Sequence, residues 1–241
     1  DTVNFSASSS SLQKGESFKD TAQNIEAMKI DAVVMRHPTP GAPLHLTEFI
    51  DAVIINAGDG THEHPTQAIL DMMSLYEKFG KLKGLKIGIV GDIIHSRVAL
   101  SNIFGLITMG AEITLCGPPN LIPKYIRDLG VKVNFNIDEV IEWADALNIL
   151  RIQKERMGLG LVPSTREYRS MFGITQERIE SHKKEIIIMH PGPINRGVEI
   201  DGTVADSDQA IILDQVLNGV ASRMAILYLL CGGQANDGEF S

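Results

Sequence analysis

The chain has 241 residues, 44% of them hydrophobic and 22% charged, with a formal net charge of −8. That is ordinary soluble-globular composition, enough for one large domain or two modest ones with a real core. The acidic balance argues against nucleic acid as a partner, and no apolar run approaches the ~20 residues of a membrane span.

In chain order, the polar N-terminus does not read as a signal peptide, and SASSSS (6–11) reads as a loop. A helical pattern over roughly 16–29 leads to the strand candidate DAVVM (31–35), and AVIINAG (52–58) is a second strand before a helix over 63–80. LKIGIVGD (85–92), EITLCG (112–117), VKVNF (131–135), ALNILR (146–151) and EIIIMH (185–190) continue the strands. Helices are expected over 96–109, 121–129, 137–144, 173–183 and 207–231. Short β-branched strands alternating with helices predict an α/β fold with parallel sheets flanked by helices. The polar link KFGKLKG (78–84) sets the division: a first domain over 1–80, a second over 81–206, and a C-terminal helix over 207–241 that packs back on the first. The first domain looks too short, because two strands do not close a stable doubly wound layer. Cys116 and Cys231, both in apolar surroundings, read as buried thiols in a reducing compartment, hence cytoplasm.

Ligands of open α/β sheets bind beyond the carboxyl ends of the strands. What stands there is cationic. Arg36-His37-Pro38 follows the first strand, and His62, His64 and Gln67 follow the second. His95, Ser96 and Arg97 follow the third; Arg151 and Gln153 follow ALNIL, and HPGPINR (190–196) follows EIIIM. Carboxylates are scarce there, with Asp92 and Glu63 the exceptions. Any one of these arginines alone is most simply a solvated surface charge. Three at the ends of different strands, against an acidic background, predict a cleft for a strongly anionic ligand, since guanidinium groups match carboxylate and phosphate oxygens and helix N-termini add N–H donors.

His62 and His64, two apart in a turn, do not share a helix face as a zinc-binding H-E-x-x-H pair does, and no third ligand stands at a familiar spacing. No metal is expected. His64, before Pro65 at a helix start, is placed to aim at a ligand oxygen, and Gln67 on the first turn reaches the same space; His62 reads as an exposed turn histidine. No G-x-S-x-G elbow exists, neither cysteine stands beside a histidine at a strand end, and GIVGDIIHS offers only Gly88 and Gly91 of a dinucleotide motif. What remains is catalysis by positioning and electrostatics, without a cofactor.

VMRHP (34–38), NAGDGTHEHPTQAILD (56–71), GDIIHSRVALSN (91–102), RIQKER (151–156), HPGPINRGVEI (190–200) and SLQKGESFKDT (11–21), in this order, resemble the aspartate carbamoyltransferase family over nearly the whole chain. The related ornithine enzymes share the H-P-T-Q turn but are expected to carry H-C-L-P where His190-Pro191-Gly192-Pro193 stands. The resemblance implies that carbamoyl phosphate and L-aspartate give N-carbamoyl-L-aspartate and phosphate, early in pyrimidine synthesis. It implies Arg36 on the phosphate and carbonyl oxygen, His64 on that oxygen, and Gln67 on the carbamoyl amide. Arg97 and Arg151, with Gln153, take the two carboxylates of aspartate, and Gly192 and Pro193 supply backbone carbonyls around a cis bond. Ser11 and Lys14 reach into a neighbouring subunit's site, which makes a homotrimer the minimal active unit. Whether such trimers pair with regulatory subunits stays open.

The family's Ser-Thr-Arg-Thr phosphate loop is expected ahead of SLQKGES, where only ten residues stand. PSTREYR (163–169) is not that loop: it follows RIQKER in the second domain and reads as a loop entering a short helix capped by Ser164 or Thr165. The chain is therefore expected to represent about the last three-quarters of a carbamoyltransferase, with its first domain truncated. It is expected to be nearly inactive alone, because each lost charge-assisted hydrogen bond costs roughly 1.5–3 kcal/mol. Two rival readings remain, transfer to another amino acid and a non-catalytic homologue that binds without turnover.

Overall fold

A computed structural model of the chain describes residues 2–3, 18–152, 164–182 and 185–232. The first unit comprises α1 (Phe18–Ala27), β1 (Ala32–His37), α2 (Ala42–Leu46), β2 (Val53–Asp59) and α3 (Pro65–Phe79). β1 and β2 pair in parallel. Ala22 of α1, Leu46 of α2 and Ile50 are buried together, with Phe18, Ile25, Val33 and Met35 packed on them.

β3 (Lys86–Val90), α4 (Arg97–Thr108), β4 (Glu112–Cys116), β5 (Lys132–Val133), α5 (Ile137–Trp143) and β6 (Ala146–Ile149) follow, then α6 (Thr165–Phe172), α7 (Gln176–Ser181), β7 (Ile187–Met189), α8 (Gly202–Ala205) and α9 (Ile212–Leu230). Five strands form one parallel sheet in the order β5-β4-β3-β6-β7. The order runs one way from β3 and the other way from β6, so the topological switch lies between them. Side chains alternate with the period of two that strands impose. Ile87, Ile89, Ile113 and Leu115 join Ile103 of α4 and Leu75 of α3 on one face. Val90, Leu147 and Ile149 join Val140 of α5 and Tyr168 and Phe172 of α6 on the other. With both faces covered, each fully buried Ile or Leu stabilises the sheet by roughly 1.5–3 kcal/mol.

The α/β reading with parallel sheets and flanking helices is borne out, and so is the short helix at PSTREYR, where Ser164 Oγ accepts from the Glu167 N–H at 3.0 Å. Several boundaries differ. The helix expected over 121–129 is two 3-10 turns, Pro119–Leu121 and Ile126–Leu129, because Pro123 has no N–H to continue the ladder. The helix expected from 207 starts at Ile212: the Ile188 N–H donates to Gln209 O and the Ile211 N–H to Ile188 O, both at 2.9 Å, which draws 209–211 alongside β7. Cys116 is buried as expected, but Cys231 is exposed. It ends α9, whose buried stripe is Gln215, Asn218, Gly219 and Ser222, while Leu213, Val216, Leu217 and Met224 face outward. The polar stripe docks on α3, with Asn218 Nδ2 donating to Ser74 Oγ at 3.0 Å and Glu77 Oε2 at 2.6 Å.

Candidate active site

Arg36 stands at the carboxyl end of β1, exposed, where the register against β2 shifts between Met35 and His37. Such a bulge re-aims the side chain that occupies it. β2 ends in Asp59, only 1% exposed. Its Oδ2 accepts from the Gly41 N–H at 2.6 Å and from His62 Nδ1 at 3.0 Å, and its Oδ1 from Asn56 Nδ2 at 3.0 Å and the Glu63 N–H at 2.9 Å. Burial works against its ionisation, but the donors from Asn56, Gly41, His62 and Glu63 outweigh it and hold the carboxyl below the ordinary 3.8. Asp59 therefore freezes the turn that carries His64. His62, its side chain 54% exposed, braces the turn from outside.

A carboxyl with a lowered folded pKa contributes stability above its unfolded pKa and loses it as pH falls through the folded value. Asp59→Asn is thus expected to lower the unfolding free energy at pH 7 by about 2–3 kcal/mol. The difference from wild type should shrink below about pH 4, measured by denaturant titration at several pH values.

His64 is the N-cap of α3, followed by Pro65 in the first turn. Its N–H donates to Ser101 Oγ at 2.7 Å, and Ser101 in turn donates to Glu63 Oε2, so α4 holds the start of α3. Burial, and then the charges of Arg97, Arg36 and Arg223, lower the His64 pKa to about 4. The ring is neutral at physiological pH. Thr66 Oγ1 lies 3.3 Å from Nδ1. With that hydroxyl donating, the ring proton sits on Nε2, which becomes the donor. Gln67 is buried within the first turn, its Nε2 donating to Asp71 Oδ1 at 3.0 Å.

Arg97 opens α4, capped by Ser96 Oγ accepting from the Ala99 N–H at 3.1 Å. Buried Asp92 accepts from the His95 N–H at 3.1 Å and from its Nδ1 at 2.9 Å, which shapes the loop before it. The Arg97 side chain lies across Gly58 of β2, and its Nη1 donates to Gly60 O at 3.5 Å. Burial and the neighbouring Arg36 lower its pKa, while Asp59 opposes them. Two guanidinium groups so close repel each other, and an anion between them relieves that repulsion. Gly58 has φ +116, and a Cβ there would meet Arg97 Cζ at 2.7 Å. Gly58→Ala is expected to displace Arg97, costing about 1–3 kcal/mol of stability. It should also lower kcat/KM by about ten-fold or more, read from thermal melts and initial rates.

On the other side, Arg151 follows β6, half-buried. The Gly192–Pro193 peptide is cis, and Gly192 has φ +68. The turn 190–196 is tied down at three points. The Gly192 N–H donates to His190 Nδ1 at 2.8 Å, the Asn195 N–H to Glu199 Oε1 at 2.5 Å, and Asn195 Nδ2 to Ile152 O at 2.8 Å. Asn195 thereby joins the Gly192–Pro193 segment to the strand end that carries Arg151.

The expected residues thus fall into two groups: Arg36, His64 and Arg97, with Gln67 beside them, and Arg151 with the Gly192–Pro193 turn. Ser11, Lys14 and Gln153 lie outside the described residues. Asp59, Asn195 and Arg223 escaped the sequence reading; Asp59 alone had a signal, its place directly after an apolar strand. Among the described residues no three His, Cys, Asp or Glu side chains are grouped to hold a metal ion.

A family model for the carbamoyl-P binding domain of aspartate/ornithine carbamoyltransferases matches residues 1–77, and one for their Asp/Orn binding domain matches residues 83–230. The aspartate carbamoyltransferase catalytic subunit of Christiangramia forsetii is 61% identical over 230 residues, 95% of this chain and 74% of the relative. Aspartate transcarbamoylase from Trypanosoma cruzi, solved with carbamoyl phosphate, superposes with a TM-score of 0.83 at 30% identity, covering 96% of this chain and 75% of that one. The catalytic subunit of the M. jannaschii enzyme gives 0.79 at 37% identity, over 96% and 76%. A carbamoyl-P module and an acceptor-binding module, in this order and at this identity, place the chain in the aspartate/ornithine carbamoyltransferase family, among the aspartate carbamoyltransferase catalytic subunits.

Proposed function

We propose that the protein transfers the carbamoyl group of carbamoyl phosphate to the α-amine of L-aspartate, giving N-carbamoyl-L-aspartate and phosphate for pyrimidine synthesis. The observation that carries this reading is a histidine fixed at the N-cap of α3, its N–H held by Ser101 Oγ at 2.7 Å, with the Arg97 side chain laid across neighbouring Gly58; burial and the arginine charges lower its pKa and keep the ring neutral. An acyl phosphate dianion needs the cations; a carbonyl that gains negative charge needs a donor that keeps its proton. Arg36 meets the phosphate and, with His64 Nε2–H, the carbonyl oxygen. The Gln67 oxygen accepts from the carbamoyl NH2.

The aspartate amine attacks the carbamoyl carbon, the C–N bond forms, and the C–O bond to phosphate breaks. The departing phosphate carries away the amine's proton, so no side chain has to act as base. Arg97 and Arg151, with Gln153, take the two acceptor carboxylates, and the backbone carbonyls of Gly192 and Pro193 orient the reacting amines. The division into a carbamoyl-phosphate unit over 1–80, an aspartate unit over 81–206 and a returning helix over 207–241 belongs to this proposal. So do a homotrimer in which Ser11 and Lys14 complete a neighbour's site, and a cytoplasmic setting. Among the described residues no helix is long and apolar enough to cross a membrane.

The test is ureido-product formation from carbamoyl phosphate, with aspartate or ornithine as acceptor, by the protein that carries this chain. Carbamoyl aspartate is the expected product. A better rate with ornithine would overturn the acceptor, and binding of carbamoyl phosphate without any turnover would establish a non-catalytic homologue.

A further inference from the structure

Behind Gln67 the core holds a carboxylate placed away from the reacting groups. Asp71, on α3, is fully buried. Its four hydrogen-bond partners are all side-chain amides, from four different elements. Oδ1 accepts from Gln67 Nε2 at 3.0 Å and from Gln215 Nε2 of α9 at 2.7 Å. Oδ2 accepts from Asn102 Nδ2 of α4 at 2.7 Å and from Asn148 Nδ2 of β6 at 3.3 Å. Among the described residues it has no cationic partner, although a buried carboxylate is ordinarily paired with a cation.

The amides yield to the carboxylate. Asn102 Oδ1 and Asn148 Oδ1 are buried without a hydrogen-bond partner among the described residues, an arrangement that is costly by itself. Turning either amide over would satisfy no donor and would set its oxygen against the carboxylate. A carboxylate only accepts, with about four lone-pair sites, so four amide nitrogens match it and fix which end of each amide points outward.

Two of those outward ends bear on the proposed site. With Nε2 held by Asp71, the Gln67 oxygen is left on the other side of the amide, where the proposed function has it accept from the carbamoyl NH2. With its Nε2 held likewise, Gln215 offers Oε1 to the His190 N–H at 2.9 Å, and His190 Nδ1 accepts from the Gly192 N–H at 2.8 Å. An unbroken line of hydrogen bonds therefore runs from Gln67 through Asp71, Gln215 and His190 to the Gly192–Pro193 turn.

We infer that Asp71 is a positioning residue that orients the Gln67 amide directly and the Gly192–Pro193 turn through Gln215, so that both ends of the site are set by one buried carboxylate. The inference rests on the carbamoyl-transfer reading. The protein that carries this chain is assayed at saturating and limiting concentrations of each substrate, as wild type, Asp71→Asn, Gln215→Met, Gln67→Ala and Gln67→Ala/Asp71→Asn. Asp71→Asn, which turns one acceptor oxygen into a donor, is expected to lower kcat/KM for carbamoyl phosphate about 10- to 100-fold. In the Gln67→Ala background the same change should cost clearly less than in the wild type, because the amide it orients directly is gone and only the route through Gln215 remains. Gln215→Met should raise the KM for aspartate more than that for carbamoyl phosphate.

A purely structural Asp71 would give a lower melting temperature with kcat and both KM values unchanged well below it, and that result overturns the inference. So does full additivity in the double variant. Should Asp71→Asn fail to fold, Gln215→Met decides: an unchanged aspartate KM overturns the inference, and a raised one supports it. Absence of ureido product from the wild type would instead sink the carbamoyl-transfer reading itself.

Discussion

Replacing His64 by Ala is expected to lower kcat by roughly 10²- to 10³-fold, the usual cost of one preorganised donor to a developing oxyanion. The KM for aspartate should move by less than about three-fold, since the proposed function gives the acceptor carboxylates to Arg97 and Arg151. The donor's strength depends on its electrostatic setting. A charged imidazolium would be drawn to the phosphate and would repel Arg36 and Arg97, whereas a neutral ring keeps Nε2–H for the carbonyl. The lowered pKa, about 4, gives the pH dependence. The folded chain binds fewer protons than the unfolded one between about 4 and 6.5, so this residue's contribution to stability is complete above about 6.5 and is lost as pH falls toward 4. In the free enzyme, kcat/KM should therefore show no His64 titration near 6.5. An acidic limb at 6.5 that disappears in His64→Gln would contradict the neutral-donor mechanism.

The sequence exposed one half of this site better than the other. Arg36, His64, Gln67, Arg97 and Arg151 were legible because topology alone puts strand ends at the ligand, and a cation there against a net charge of −8 stands out. The residues that hold them were not. Asp59 carries only the weak signal of its place after an apolar strand, and Asp71 looks like one more polar position on an amphipathic helix. Their roles come from partners distant in sequence: Gln215 lies 144 positions from Asp71, and Ser101 lies 37 from His64. No local pattern encodes such a meeting. Helix limits failed for the same reason near Ile212, where hydrogen bonds to β7 outcompete helix propensity at 209–211. They failed at 121–129 for the opposite one, because Pro123 is a local signal that the apolar periodicity masked. Cys231 departs from the expected burial because α9 turns its polar and small residues inward and its apolar ones outward, reversing the usual inference from composition to burial.

Arg97→Ala and Arg151→Ala are expected to differ in kind, although both residues would bind carboxylates of aspartate. Arg151 stands at the end of β6, in the segment that Asn195 ties to the Gly192–Pro193 turn. Its loss should raise the KM for aspartate by about 30- to 1,000-fold, the equivalent of roughly 2–4 kcal/mol for a bidentate guanidinium–carboxylate contact. The KM for carbamoyl phosphate should stay within about three-fold, because the proposed function places that substrate at the other sheet. Arg97 lies across Gly58 and shares its field with Arg36 and His64. Its removal should weaken aspartate by a similar factor, but it also withdraws positive charge from the carbamoyl-phosphate end. Both KM values should rise, and the His64 pKa should climb because its largest repelling charge is gone. Initial rates over a grid of both substrates, with an NMR titration of the His64 ring, separate the two cases. Equal and purely aspartate-directed effects in both variants would mean that Arg97 swings away from Gly58 in the working enzyme. An effect on carbamoyl phosphate alone would remove Arg97 from the acceptor site and leave Arg151 to set the preference for a dicarboxylate.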